Sequence, residues 1–249
     1  MWSLDGSHRQ AGRTSVRCVD TAERYVRSDT ARQLVTVATP SSDHRLTGGP
    51  DGAQENLERS RGLGLLVRFA AFTGLRAGEI GALRVGRMDP DGRWVEVAES
   101  AEEVHGELLY GPPKTYSRRR VEVPEGLAPE LRAHLLTRPS DIDAFVFTAP
   151  DDGALRHSNF YRRHYKPAVV RAGLDPRTRF HDLRHTAAAM MIGQGAHLLV
   201  IKERLWDSSI SVTADRYGHL YPSLSAALTT QLGDVYCASA TAEADRQKP

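Results

Sequence analysis

Four side chains of this sequence are of types, and at spacings, that could handle a phosphate. His181 and Arg184 stand three apart in Phe180-His-Asp-Leu-Arg-His-Thr-Ala-Ala-Ala189, which puts them on one face of a helix near its N-terminus. Free N–H groups at such an end already favour an anion, and a guanidinium fork beside an imidazole suits a phosphate. Arg76, in Thr73-Gly-Leu-Arg-Ala-Gly-Glu-Ile80, follows a glycine turn directly before a helix whose Glu79 is placed to brace it. Tyr217, in Asp215-Arg-Tyr-Gly-His-Leu220, closes a helix just before Gly218. Alone, each piece also has a structural reading: a capped basic helix start, an Arg–Glu surface pair of little energetic worth, and a half-buried packing tyrosine. His181 and His185 are i, i+4, but no HExxH pattern and no third ligand accompany them, so no metal site is expected.

The elements that must position these residues are mostly helical. Leu63, Leu65, Leu66, Phe69, Ala70 and Phe72 form a strongly apolar helical stretch broken at Thr73-Gly74, and a short helix over Ala77–Leu83 follows. Arg93–Val97 and Arg120–Val123 alternate, Leu108–Tyr110 is a candidate partner, and turn residues separate the three, so a small antiparallel sheet is expected. Leu127–Leu136 reads as a helix and Ala144–Thr148 as a short extended piece. Helices are then expected over Ser158–Ala172, Asp182–Gly193, His197–Leu205, Ile210–Tyr217 and Ser223–Val235. The fold class is α+β, mostly helical with one small antiparallel β-sheet. Residues 1–55 are polar and read as a poorly ordered N-terminal remnant, residues 56–236 as the folded domain, and 237–249 as a mobile tail.

Of the 249 residues 40% are hydrophobic and 26% charged, ordinary values for a globular domain. Cys18 and Cys237 form no metal or disulfide pattern, no apolar run approaches a membrane span, and the first residues lack the apolar core of a signal peptide. A cytoplasmic protein is expected. The net charge of +2 is uninformative, but its distribution is not: Arg156–His185 carries eight Arg or Lys against two acids, with four histidines, and Lys114–Arg120 adds four more cations. Such clustering points to a polyanion as partner; solvated basic helix faces are the alternative.

In order, the run TGLRAGEIGALR, the PKT of a hairpin, HDLRHTAA, and KERL followed after two residues by SSISVTADRYGHLYP resemble the tyrosine recombinase (phage integrase) family. The resemblance covers Asn56–Val235 and is nearest to integrases of mobile elements. It implies a DNA strand transferase whose catalytic arginines correspond to Arg76 and Arg184. It also matches Lys114 to the family's β-hairpin lysine, His181 to the histidine before the second arginine, and Tyr217 to the nucleophile. Physical chemistry agrees with these roles. Attack on a phosphodiester builds negative charge on the non-bridging oxygens, which preplaced cations stabilise, and bidentate guanidiniums suit this better than lysines. A phenol needs a neighbour to take its proton, for which His181 is the candidate, and Lys114 is suited to protonate the departing 5′ oxygen. The covalent 3′-phosphotyrosyl product conserves bond energy, so neither ATP nor metal nor any other cofactor is expected. Double-stranded DNA is the expected partner, with Arg118, Arg119, Arg162, Arg163 and Arg179 as backbone contacts. His185 reads as a supporting or core residue, and His219 and Tyr221 as residues that orient the nucleophile or simply pack.

Two departures stand out. Where the family has Leu-Gly-His, with the histidine donating to the scissile phosphate, this chain reads Leu205-Trp206-Asp207. An ionised Asp207 is an acceptor only, and losing one such donor typically costs about 10²–10³-fold in rate. Second, residues 1–55 are too few and too polar for the family's N-terminal core-binding domain, so weaker, less salt-dependent DNA binding is expected. Three functions therefore compete: a site-specific strand transferase, a decayed integrase that binds without cutting, and a topoisomerase-like nick-and-release activity. Leu224, Leu228, Leu232 and Val235 form an apolar stripe, which in related enzymes docks on a neighbouring subunit. Self-association on DNA through this helix, or docking of the helix in cis, is expected.

Overall fold

A computed structural model describes residues 50–113, 118–149, 152–207, 209–221, 229–230 and 232–237. The chain enters through α1 (Pro50–Thr73), so the boundary expected at residue 56 falls inside a helix. Most of the expected N-terminal remnant, most of the C-terminal tail, Lys114, Leu224 and Leu228 lie outside the described residues.

α1 is apolar around most of its second half, which makes it a buried helix rather than a surface one. Leu65, Leu66, Val67, Phe69, Ala70 and Ala71 are all buried, and the helix packs along α6 (Asp182–Gly193). Phe69 meets Phe147 at 5.6 Å between ring centroids. Each fully buried Leu or Phe contributes about 1.5–3 kcal/mol, so this helix anchors everything that follows it. Gly74, at φ +71°, ends it in the left-handed conformation that only glycine adopts without cost. α2 (Ala77–Gly81) then starts directly at Arg76.

The expected single sheet is two separate antiparallel pairs. β1 (Trp94–Val97) pairs with β4 (Arg119–Glu122), Val95 opposite Val121. β2 (Ser100–Val104) pairs with β3 (Glu107–Gly111). His105 and Gly106 both have positive φ (49° and 84°), the signature of a tight two-residue hairpin turn whose twist matches the strands. Leu108–Tyr110 thus pairs with a polar segment that carries no strand alternation, not with the Trp94 strand. The Ala144–Thr148 piece is held by isolated bridges, Phe145 to Arg84 and Thr148 to Ala154.

The remaining elements are helical: α3 (Ala128–Leu136), α4 (His157–Phe160), a π segment (Tyr161–Tyr165), α5 (Lys166–Arg171), α6, α7 (Leu198–Leu205), α8 (Ile210–Tyr217) and a 3₁₀ turn (Gly218–Leu220). Pro167 accounts for the π segment: it has no N–H to give to the preceding turn, and its ring crowds that turn's carbonyl. Residues 229–230 and 232–237 are helical and exposed. Among the described residues no helix is long and apolar enough to cross a membrane. α6, α7 and α8 close around a second small core of Ala188, Ile192, Ile201, Leu205 and Tyr217.

Candidate active site

The Arg76 side of the site is built around a buried carboxylate. Glu79 accepts the backbone N–H of Arg76 (2.9 Å) and the Arg76 guanidinium (3.3 Å). It also takes both arms of Arg119, at 3.0 and 2.8 Å. Burial alone pushes the Glu79 carboxyl up; the hydrogen-bonded, charged Arg119 fork and then Arg76 outweigh it and hold it below the ordinary carboxylate range. Arg119, expected on the DNA-facing surface, is instead buried and spent on this pair. Its strand alternates inward and outward, and it shares the inner face with Val121.

The second arginine is buried more deeply. The Arg184 side chain is only 2% exposed and donates to the Gly74 carbonyl (2.7 Å), the Leu205 carbonyl and Asp207 Oδ1 (2.9 Å). Burial, then the like charge of Arg76, pulls Arg184 below the ordinary arginine value, and Asp207 opposes both. Arg76 reaches the same Asp207 oxygen at 3.8 Å. The other carboxylate oxygen accepts Thr213 Oγ1 at 3.3 Å. Two guanidiniums distant in sequence thus converge on one acceptor oxygen. The Asp207 carboxylate is the shared partner of Arg184, Arg76 and Thr213.

The turn that delivers Asp207 is strained. Trp206 caps α7 at φ 57°, ψ 50°, a left-handed conformation that costs a residue with a Cβ about 1–2 kcal/mol. Its carbonyl accepts Arg76 (3.4 Å) and its ring lies 5.8 Å from the Arg119 guanidinium carbon.

Tyr217 is buried, at 1% exposure, against Ala188, Ile192, Ile201 and Leu205. Its hydroxyl is hydrogen-bonded to His185 Nδ1 at 2.9 Å, not to His181, the partner that the sequence suggests. His181 is the exposed residue immediately before α6, its ring edge-on to that of His185 at 5.3 Å. Burial, then the neighbouring His181, lowers His185 to about 4, so its imidazole is neutral near pH 7. His181, an exposed residue whose ring is nonetheless partly shielded from water, is also lowered, by that shielding first and then by Arg184.

Arg76, Arg184, Asp207 and Tyr217 are therefore brought together by α2, α6, the α7–α8 turn and α8, with His181 at the rim. Lys114 lies outside the described residues. Arg118, Arg162, Arg163 and Arg179 are exposed, Arg179 with its guanidinium on Asp182 (2.8 Å). Tyr221 donates to the Ala196 carbonyl at 2.7 Å, a packing role, and His219 is exposed. Among the described residues no group of three His, Cys, Asp or Glu could hold a metal ion. Sequence reading missed His185 as the partner of Tyr217 and Arg119 as the partner of Glu79.

Known proteins are similar to this chain in sequence and in fold. The ICEBs1 integrase of Bacillus subtilis (strain 168) is 33% identical over 177 residues, covering 67% of this chain and 47% of that protein. A protein named tyrosine recombinase XerC-like, from Caldanaerobacter subterraneus subsp. tengcongensis, is 30% identical over 193 residues, covering 69% and 49%. The chain spans about half the length of these curated relatives. Among solved structures, the Tn1549 transposon integrase in complex with circular intermediate DNA matches with a TM-score of 0.62 at 16% identity, covering 84% of this chain and 66% of that one. XerA recombinase matches at 0.54 and 22%, covering 83% and 61%; at these identities the likeness is one of fold. The model of the phage integrase family matches residues 53–223, taking in every element just described around Arg76, Arg184 and Tyr217, and the chain belongs to that family.

Proposed function

We propose that this chain is a site-specific recombinase of a mobile element, which cuts and rejoins double-stranded DNA through a 3′-phosphotyrosyl link at Tyr217. The observation that carries the reading is the convergence of Arg76 and Arg184 on one acceptor oxygen, in a domain whose helix α8 ends in a buried tyrosine. Two fixed guanidiniums are what the charge building on a phosphodiester's non-bridging oxygens requires. In the reaction Tyr217 Oη bonds to phosphorus, the P–O5′ bond breaks, and the 5′ oxygen takes a proton from Lys114. Religation reverses each step, with no loss of bond energy. His181, exposed beside Arg184, is a further phosphate contact. Arg118, Arg162, Arg163 and Arg179 track the DNA backbone, acting in the cytoplasm. Leu232, Val235 and Tyr236, exposed on the C-terminal helical residues, dock on a neighbouring copy on DNA.

Asp207 favours a second reading, a decayed integrase that binds without cutting. The Asp207 carboxylate competes with the scissile phosphate for the two arginines and supplies no hydrogen-bond donor to it. Covalent trapping separates the readings. Duplexes of randomised sequence, nicked beside a central step, are incubated with the protein and the covalent adducts recovered and sequenced. Adducts that vanish in Tyr217→Phe support the recombinase; retained DNA binding with adducts only in Asp207→His supports decay. Failure of both forms to make adducts overturns the nucleophilic role of Tyr217.

A further inference from the structure

The phenol that is to attack phosphorus must lose its proton, and the geometry around Tyr217 identifies where that proton goes. We infer that His185, through Nδ1, is the residue that receives the Tyr217 proton during strand cleavage and returns it during religation. The inference rests on the reading of Tyr217 as nucleophile.

Three observations converge on His185. The Nδ1 to Oη separation of 2.9 Å lies within the roughly 2.6–3.2 Å reach that a general base needs. The ring is held: His185 is buried in α6, directly after Arg184, and its neighbours are the rings of His181 at 5.3 Å and Tyr217 at 5.7 Å. The hydroxyl therefore sits beside the one helix that also supplies an anion-binding arginine, and Arg184 feels the charge of the Tyr217 oxygen. His181, one helical turn earlier, faces solvent and has no contact of this kind with the phenol among the described interactions.

The charges around His185 fit an acceptor. Burial and the neighbouring His181 disfavour its charged form, Asp182 favours it, and Arg216 and Arg179 oppose it more weakly. In the absence of DNA the ring is neutral near pH 7, and in the tautomer protonated at Nε2 its Nδ1 offers a lone pair to the hydroxyl. A scissile phosphate arriving beside it brings negative charge that raises its proton affinity, so the base strengthens when it is needed. The step balances. As Oη bonds to phosphorus its proton passes to Nδ1, P–O5′ breaks, and the 5′ oxygen is protonated from Lys114. In religation the 5′ hydroxyl attacks phosphorus and gives its proton back to Lys114, the P–Oη bond breaks, and the departing phenolate recovers its proton from His185.

The test uses a duplex recovered by covalent capture, prepared in two forms: ordinary, and with sulfur in place of the bridging 5′ oxygen. A sulfur leaving group needs no proton, so only defects on the nucleophile's side persist with it. His185→Asn places an amide oxygen near the position of Nδ1, keeping a hydrogen-bond acceptor for the phenol but no site that takes its proton. Single-turnover adduct formation by His185→Asn is expected to be slowed about 10²-fold or more on both substrates, with DNA affinity unchanged. Lys114→Ala is slowed on the oxygen substrate alone. A wild-type rate for His185→Asn overturns the inference, as does a defect cured by sulfur, or a sulfur-resistant defect carried by His181→Asn instead. The ¹⁵N resonances of the imidazole in the wild-type chain read the tautomer whether or not variants fold. An unprotonated Nδ1 that shifts in Tyr217→Phe supports the inference, and a protonated Nδ1 overturns it. Adducts absent from both the wild-type and Asp207→His chains overturn the recombinase reading and this inference together; adducts present with His185→Asn unimpaired overturn this inference alone.

Discussion

Removing the carboxylate of Glu79 should destabilise the domain by about 3–5 kcal/mol, the usual cost of leaving one half of a buried ion pair uncompensated. Glu79 and Arg119 have side-chain exposures of 1% and 4%, so solvent cannot replace either partner. The loss has two parts. Arg119 loses both acceptors of its fork, at 3.0 and 2.8 Å, and the Arg76 N–H loses its capping oxygen at 2.9 Å. Hydrogen bonds to charged groups contribute about 1.5–3 kcal/mol each, so the fork alone accounts for the range and the cap adds to it. Urea unfolding of Glu79→Met, Arg119→Met and the combined Glu79→Met/Arg119→Met chain measures the coupling. At about 2–4 °C per kcal/mol for a domain of this size, each single change should lower Tm by roughly 10 °C. The double change should recover much of that loss, because a buried ion pair is replaceable by apolar residues of similar volume. A single-variant loss below about 1 kcal/mol, or a double variant no more stable than the worse single one, would refute the assignment of this pair as the brace of Arg76.

Three further outcomes are expected. In Gly74→Ala the new Cβ meets Leu205 Cδ2 at 2.4 Å with the backbone at φ +71°; left-handed strain plus overpacking should cost about 2–4 kcal/mol in denaturant unfolding. Trp206→Gly should be about 1 kcal/mol more stable than Trp206→Ala, since both delete the indole and only glycine is relaxed at φ 57°; equal stabilities would contradict that backbone conformation. His185, lowered from 6.5 to about 4, binds fewer protons folded than unfolded in that window. Its stabilisation is complete above pH 6.5 and is lost as pH falls toward 4, by up to about 3 kcal/mol. Glu79 and His181, both lowered, act in the same direction. Unfolding free energies across this range should fall more steeply for the wild type than for His185→Gln, and parallel slopes would contradict a neutral buried His185.

The helices that carry the site were legible because their ends are. Asp182–Gly193 and Ile210–Tyr217 were expected at the boundaries observed, since both carry strong local signals. Ser209 caps α8 by accepting the Val212 N–H, and α6 runs from Asp182 in its first turn to Gly193, with Gly195 at φ +78° just beyond. The split sheet was not legible: the β2 segment Ser100–Val104 is exposed along most of its length, so no apolar alternation marks it as a strand. Arg119 was misassigned for an avoidable reason. A run of three arginines looks like a basic patch, but alternation with buried Val121 already assigns Arg119 to the inner face. The His185–Tyr217 bond joins residues 32 apart, and nothing local announces it. Once His181 and Arg184 are placed on a helix face, however, His185 at i+4 from His181 shares that face. The role of Asp207 as a partner of Arg184 needs the α7–α8 turn, whose conformation the substitution of Trp206 for the family's glycine makes hard to foresee.

Because Asp207 is covalently part of the chain, any anion that the proposed function brings to Arg76 and Arg184 meets it on unequal terms. A tethered group competes at an effective concentration set by its linkage, on the order of millimolar or above even for flexible connections, and Asp207 is fixed more tightly than that, by Arg184 and Thr213. Free phosphate or a nucleotide at cellular concentrations is at a disadvantage against such a ligand. A phosphate belonging to a polymer already held by other contacts is not, since it too is presented at high local concentration. On the proposed function, the carboxylate would act as a threshold, closing the arginine pair to small diffusing anions and yielding it only to a phosphate delivered by a larger, multiply anchored partner.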